Sequence, residues 1–148
     1  MSPASTPAES AQLLLKLYEL RREPTMRQAR EWFRSKFAPR SMAEIGEMLQ
    51  GEHNPQFRMV VGYWDMACAM VTHAAIDQNM FVDANPESVA AYSKVEPFLE
   101  EMRSSSGLPF FLKHWEAVMR RIPDLEQRLA ALRAPQSSPA VPADTDAR

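Results

Sequence analysis

The most chemically suggestive residues are a histidine and an aspartate in the apolar middle of the chain. His73 and Asp77 are four positions apart, so they share one face if this segment is helical. An imidazole and a carboxylate on one face can hold a metal ion, or the carboxylate can orient a basic histidine. Met70 lies on the same stripe, and Asp65 is a second acid among apolar residues. The candidate ligand or metal residues are therefore His73, Asp77, Met70 and Asp65.

The sequence favours a structural interpretation of these residues. Methionines at helical spacing usually fill cores, and buried polar side chains are usually satisfied by neighbours. We expect Asp65 to hydrogen-bond to a neighbouring helix or to pair with an arginine, since an unpaired buried charge is costly. The phosphate-loop, nucleophile-elbow and zinc-protease motifs are absent. No catalytic residue, cofactor or enzymatic activity is predicted.

Arginines accumulate near the start of the chain. Residues 16–40 include eight basic and three acidic side chains, whereas residues 41–101 include ten acidic and two basic ones. The basic part could bind the phosphates of nucleic acid or of a membrane surface. It could also pair with the acidic part, within one chain or between two copies, and this interpretation is favoured because the net charge is −2. The candidate basic residues are Arg21, Arg22, Arg27, Arg30 and Arg34.

Helices must position these side chains. The prolines separate apolar segments that have helical spacing, and no alternating strand pattern of useful length occurs. Thr6-Pro7-Ala8-Glu9 is typical of a capping box and predicts a first helix ending near Arg22. Thr25 and Ser41 are predicted to cap the second and third helices in the same way.

The longest predicted helix runs from Pro55 to about Asn79. Apolar residues cover nearly its whole circumference, which is typical of a buried helix. Trp64 in this helix and Trp115 in a later one are assigned to the core. Asn85-Pro86 is predicted to begin the next helix, which Pro97 kinks or restarts. Residues 104–107 are predicted to form a loop, followed by two more helices.

The pattern predicts an all-α fold, a compact bundle of about six or seven helices around the long central one. One domain is expected over residues 6–133, with disordered tails at 1–5 and 134–148. The longest apolar run, residues 66–76, is shorter than the about 20 residues that span a bilayer. Because no secretory signal is found and Cys68 is the only cysteine, a cytoplasmic location is expected.

Several short segments follow one another along the chain, namely Tyr18-Glu19-Leu20-Arg21, Pro24, Ala29-Arg30, Tyr63-Trp64-Asp65-Met66-Ala67, Ala75-Ile76-Asp77 and Glu96-Pro97-Phe98-Leu99-Glu100-Glu101-Met102-Arg103. In this order they resemble a bacterial family known only as domain of unknown function 4760. The resemblance covers approximately residues 13–121. It implies a helical domain with no assigned activity, and it supplies no catalytic or binding residues.

Three functional hypotheses follow. The preferred one is a non-enzymatic helical protein-protein interaction module, self-associating or bound to another protein, in which Leu13, Leu17 and Leu20 contact the partner. On this hypothesis, Leu17→Asp dissociates an oligomer without unfolding it. The second is a small-ligand or metal-binding protein that uses the His73/Asp77 face. The third is binding of nucleic acid or an anionic membrane surface by the second helix. Nucleic acid is the less expected partner, because few aromatic residues accompany the arginines.

Overall fold

A computed structural model describes residues 4–135, and within that range the chain folds into helices without any strand. The predicted all-α fold is confirmed, with more and shorter helices than expected. A 3-10 turn at Glu96–Phe98 contains Pro97 and restarts the helix there. Of the tails predicted at 1–5 and 134–148, residues 1–3 and 136–148 lie outside the described residues. The helices are α1 (Pro7–Arg21), α2 (Pro24–Ser35), α3 (Met42–Gln50), α4 (Asn54–Thr72), α5 (Gln78–Ala84), α6 (Pro86–Val95), α7 (Leu99–Ser106), α8 (Lys113–Arg120) and α9 (Leu125–Arg133).

The central helix α4 packs against α2, α3 and α8. Trp64 of α4 and Trp115 of α8 are fully buried, as predicted. The indole N–H of Trp115 donates to the Ser88 hydroxyl at 3.1 Å. Met59 and Met66 of α4 are exposed, however, so this helix is not buried on all sides as its composition suggested. The predicted loop at 104–107 is mostly the last turn of α7.

Capping explains where the first three helices begin. The Thr6 hydroxyl accepts the N–H of Glu9, and the Glu9 carboxylate accepts the N–H of Thr6, so the predicted capping box is complete. Ser41 caps α3 through its hydroxyl, as predicted. The prediction that Thr25 caps α2 is wrong. Glu23 is the cap residue, and its carboxylate accepts two backbone N–H groups of the first turn.

The long helix predicted in the middle of the chain is split, because α4 ends at Thr72. The N–H of Ala74 donates to the carbonyl oxygen of Val71 at 3.0 Å, and that of Ala75 donates to Met70 at 2.8 Å. These two bonds form a Schellman motif. Its left-handed position is usually glycine, but Ala74 occupies it with a φ of 62°. The sequence therefore lacks the usual signal for a helix end.

The turn between α4 and α5 hydrogen-bonds to the start of the chain. The N–H of Ser5 donates to Ala74 O at 3.1 Å, and the Ser5 hydroxyl donates to Ala75 O at 2.6 Å. The hydroxyl of Ser10 accepts the N–H of Asp77 at 3.1 Å. The folded part therefore includes Ser5, which the sequence assigned to the N-terminal tail.

Candidate functional site

The break between α4 and α5 separates the two residues of the predicted His73/Asp77 pair. His73 follows α4 and is exposed, whereas Asp77 caps α5 by accepting the N–H of Met80 at 2.9 Å. Met70 packs against the core. The predicted ligand stripe is therefore not formed. Among residues 4–135, no group of three or more His, Cys, Asp and Glu side chains is placed to hold a metal ion.

His73 lies instead beside His114, which the sequence did not single out. The ring centroids are 5.7 Å apart and the ring planes are tilted by 45°. The expectation that Asp65 hydrogen-bonds to a neighbouring helix is confirmed, because its Oδ1 accepts the N–H groups of His114 at 3.1 Å and Trp115 at 3.0 Å. A carboxylate at this position also complements the positive end of the α8 dipole.

The basic residues of α2 are mostly engaged within the chain. The Arg30 guanidinium binds the Glu87 carboxylate of α6 through two bonds of 2.8 and 2.6 Å. Arg34 binds Glu31 of its own helix in the same bidentate way. Each of these carboxylates already occupies the donors that a phosphate would need. The pairing of the basic with the acidic part of the chain is thus observed at Arg30.

Lys94 of α6 holds the C-terminal end of α2. Its ammonium donates to the carbonyl oxygens of Phe33, Arg34 and Phe37 at 2.7 to 2.8 Å. Burial lowers the pKa of Lys94 below its usual value, and the charge of Arg34 adds to this effect. Because a cation next to the last carbonyls of a helix also interacts favourably with the helix dipole, Lys94 has a structural role.

The leucines predicted to contact a partner fall on different sides of α1. Leu17 is only 3% exposed and belongs to the core, so its assignment as an interface residue is wrong. Leu13 is half-buried and packs against the core, whereas Leu20 is exposed. The most exposed leucine of α1 is Leu15, at 65%, and Tyr18 one turn later is 47% exposed. The accessible apolar side of α1 is therefore the one carrying Leu15 and Tyr18.

Leu15 and Tyr18 border a groove between α1 and α5, with a volume of about 340 Å³. Larger concave regions of about 670 and 860 Å³ lie beside α2, but charged side chains line much of their surface. The smaller groove is mostly apolar, and we call it the α1/α5 groove. Its lining residues are Ala11, Leu14, Leu15, Tyr18, Met80 and Ala84, together with Arg21 and Asn85.

Arg21 gives the α1/α5 groove a polar contact point. Its Nη1 donates to Oδ1 of the buried Asn85 at 2.7 Å. The Arg21 guanidinium lies 5.3 Å from the ring centroid of Tyr18 and 5.6 Å from that of Trp64. Arg22 lies 5.4 Å from the same Tyr18 ring. Cation-π contacts with two arginines therefore hold Tyr18 in its exposed position.

This arrangement suits the binding of apolar side chains. The lining of the α1/α5 groove contains no histidine, carboxylate or thiol. The thiol of Cys68 is buried elsewhere, and burial raises its pKa, which disfavours the reactive thiolate. Exposed apolar anchors beside a groove are typical of a protein docking surface.

A second exposed apolar patch lies in the turn between α7 and α8. Leu108 and Phe110 are both exposed there, and the Lys113 ammonium lies 5.3 Å from the Phe110 ring centroid. This patch lies on a turn that connects two helices. The α1/α5 groove is the stronger candidate, because it combines exposed anchors with a cavity that can receive such anchors.

The sequence of the chain matches a known protein family. The chain matches the profile of a family described as "Domain of unknown function (DUF4760)" over residues 6–122. It belongs to this family. The DUF4760 match extends from α1 to the end of α8, so it includes the α1/α5 groove and both neighbouring histidines. The resemblance predicted from the sequence is confirmed.

Neither a curated protein nor a solved structure matches this DUF4760 domain. Within residues 4–135, its helices are too short or too polar to cross a bilayer. The family assigns no activity, so any function must be argued from the surfaces and side chains described above.

Proposed function

We propose that this DUF4760 domain is a non-enzymatic helical interaction module that binds protein through the α1/α5 groove, with a second copy of itself as the partner. The observation that supports this proposal most strongly is the exposure of Leu15, at 65%, next to an apolar groove. Burying one leucine side chain gains about 1.5–3 kcal/mol, so covering this surface is favourable.

Self-association is supported by the composition of the α1 surface. In a two-fold symmetric contact the same patch is used by both copies, so it must contain both the inserted groups and the cavity that receives them. Leu15 is an exposed anchor, and the groove beside it is lined by Ala11, Met80 and Ala84. Small side chains such as alanine allow a partner helix to approach closely. The patch therefore fulfils both requirements of a two-fold contact.

Tyr18 and the neighbouring arginines suit the edge of such an interface. Tyrosine and arginine are enriched among the residues that contribute most to binding. Tyr18 is held by Arg21 and Arg22, so little side-chain freedom is lost when it contacts a partner. These residues complete the proposed interface with a polar and aromatic rim.

The arginines of α2 are weak candidates for binding an anionic partner. The engagement of Arg30 with Glu87 and of Arg34 with Glu31 argues against nucleic acid or an anionic membrane surface as the main partner.

We also propose a cytoplasmic location, which a single reduced and buried cysteine would suit.

Sedimentation equilibrium of the full chain over a wide concentration range tests the proposal. The wild type is expected to form a dimer, and Leu15→Asp is expected to remain monomeric while keeping its helical circular dichroism. The matched control is Leu132→Asp on α9, because Leu132 is also exposed, at 45%, but lies away from the α1/α5 groove. This variant should dimerise like the wild type.

The outcomes separate three cases. If the wild type is monomeric throughout, self-association is wrong. If Leu132→Asp abolishes the dimer and Leu15→Asp does not, the dimer forms through another surface. If the wild type is monomeric but captures a protein from lysate that Leu15→Asp does not capture, the groove binds another protein.

A further inference from the structure

Two of the three histidines of the chain lie close together where α4 ends and α8 begins. The ring centroids of His73 and His114 are 5.7 Å apart. The third histidine, His53, stacks instead on Trp32, with a centroid distance of 5.0 Å and an angle of 18°. This arrangement gives one histidine pair and one isolated histidine for comparison.

His114 is held by α4 at two points. Its backbone N–H donates to Asp65 Oδ1 at 3.1 Å, and its Nδ1 lies 2.7 Å from the Thr72 hydroxyl. The same hydroxyl also lies 3.1 Å from Ala69 O. When it donates its single hydrogen to Ala69 O, it accepts from His114, and in that tautomer Nδ1 carries the proton while Nε2 keeps a lone pair. Metal-binding histidines are commonly fixed in this way through the other ring nitrogen.

His73 is positioned by the turn that ends α4. Its backbone N–H donates to Ala69 O at 3.0 Å, and the next residue, Ala74, adopts the left-handed conformation. The following N–H, of Ala75, returns to Met70 O at 2.8 Å and closes the turn. The His73 side chain is exposed, so an ion in solution can reach the pair.

The separation of the rings fits a shared metal ion. Two imidazoles that bind one ion through nitrogen at about 2.0–2.1 Å have ring centroids roughly 5 to 6 Å apart. Neutral imidazole suits copper, nickel and zinc among the divalent ions. We propose that His73 and His114 form a two-histidine site for a divalent transition-metal ion, with water in the remaining coordination positions.

The site is built from α4 and α8 and does not depend on the proposed dimer. The proposed site does not use Asp77, the partner that the sequence suggested for His73, because the Asp77 side chain caps α5. With two protein ligands we expect micromolar affinity and open coordination positions. Copper should bind more tightly than zinc, as it does at most nitrogen sites.

Titration calorimetry with Zn²⁺ and Cu²⁺ tests the proposal on the full chain without an affinity tag. The wild type should bind one ion per chain. His73→Ala and His114→Ala should each weaken binding by at least about 10-fold, and Thr72→Val should weaken it by about 10-fold because the ring of His114 is no longer held. His53→Ala is the matched control and should bind as the wild type does.

Electron paramagnetic resonance of the Cu²⁺ complex identifies the ligands directly. The expected spectrum shows two coupled nitrogens in the wild type and one in His73→Ala, whose exposed side chain can be removed without affecting the fold. The proposal is overturned if the wild type binds no ion at millimolar concentration. Affinity unchanged in His73→Ala, or lost in His53→Ala, would overturn it equally.

Discussion

The neighbouring helices α1 and α2 end up with opposite kinds of surface. Contacts within the chain hold α2 at two points, since Arg30 binds Glu87 and Lys94 binds the carbonyl groups at the C-terminal end of the helix. The outer side of α1 leaves Leu15 and Tyr18 exposed next to a groove. Charged side chains of α2 therefore mainly bind groups of the same chain, whereas α1 contains the exposed apolar surface that a partner could cover.

The difference follows from what each type of side chain needs. A charged group close to a helix packed on the core must find a partner, because desolvation without one is costly. An apolar side chain on the surface carries no charge that needs a partner within the chain. It can therefore remain exposed until another molecule covers it. The candidate binding surface is for this reason apolar.

The largest expected effect separates the two sides of α1. Leu17→Ala removes a core side chain and should lower the free energy of unfolding by about 2–5 kcal/mol. Leu15→Ala should change it by less than about 0.5 kcal/mol, because Leu15 lies on the surface. Urea unfolding of dilute, monomeric samples measures both values. Equal losses for the two variants would remove the distinction between an inner and an outer side.

A smaller effect is expected at the end of α2. Lys94→Met keeps the length of the side chain but removes the ammonium that binds three carbonyl oxygens. The free energy of unfolding should fall by about 1–2 kcal/mol, since Lys94 is only partly buried. Lys16→Met, at an exposed position of α1, is the control and should stay within about 0.5 kcal/mol of the wild type. A loss no larger than in this control would mean that Lys94 does not hold α2.

The ion pair between Arg30 of α2 and Glu87 of α6 should contribute less to the free energy of unfolding than Lys94 does. Glu87→Ala leaves the half-buried Arg30 without its carboxylate and should cost about 1 kcal/mol, with the difference shrinking in high salt. Glu31→Ala, which breaks the exposed pair with Arg34, should cost no more than about 0.5 kcal/mol. Chemical denaturation at low and high ionic strength compares the two. A salt-independent Glu87→Ala value would contradict an electrostatic contribution.

The smallest expected effect is a loss of stability in the first turns of α1 and α2 at low pH. Hydrogen bonds from Thr6 lower the pKa of Glu9 below 4.5, and backbone hydrogen bonds from Thr25 and Met26 lower that of Glu23 below the same value. A lowered pKa in the folded state means that the stabilisation is present above pH 4.5 and is lost as pH falls through the folded value. Protection factors for amide exchange at the first turns of α1 and α2, which correct for the intrinsic pH dependence of exchange, should therefore fall below pH 4.5. Glu9→Gln should remove this dependence at α1 only.

Local signals predicted the start of α1 well. Thr6 and Glu9 form the capping box that their spacing indicated, and Trp64 and Trp115 occupy the core. The end of α4 could not be predicted, because alanine takes a left-handed position that normally requires glycine. The helix therefore ends before Ala74, and the prediction that His73 and Asp77 share one helix face failed for this reason.

The binding surfaces were predicted less well than the fold. Three consecutive leucines, Leu13 to Leu15, place apolar groups on several sides of α1, and periodicity alone does not tell which side faces the core. The choice of Leu17 as an interface residue failed for that reason. His114 was missed because it is far from His73 along the chain and meets it only through the packing of α8 on α4.

An isotope-filtered nuclear Overhauser experiment on a mixture of labelled and unlabelled chains tests the central claim most directly. If the α1/α5 groove is the interface, the Leu15 methyl groups of one copy contact the Met80 methyl group of the other. A stable dimer whose intermolecular contacts involve other residues, such as Leu108 and Phe110, and neither Leu15 nor Met80, would show that another surface forms the dimer.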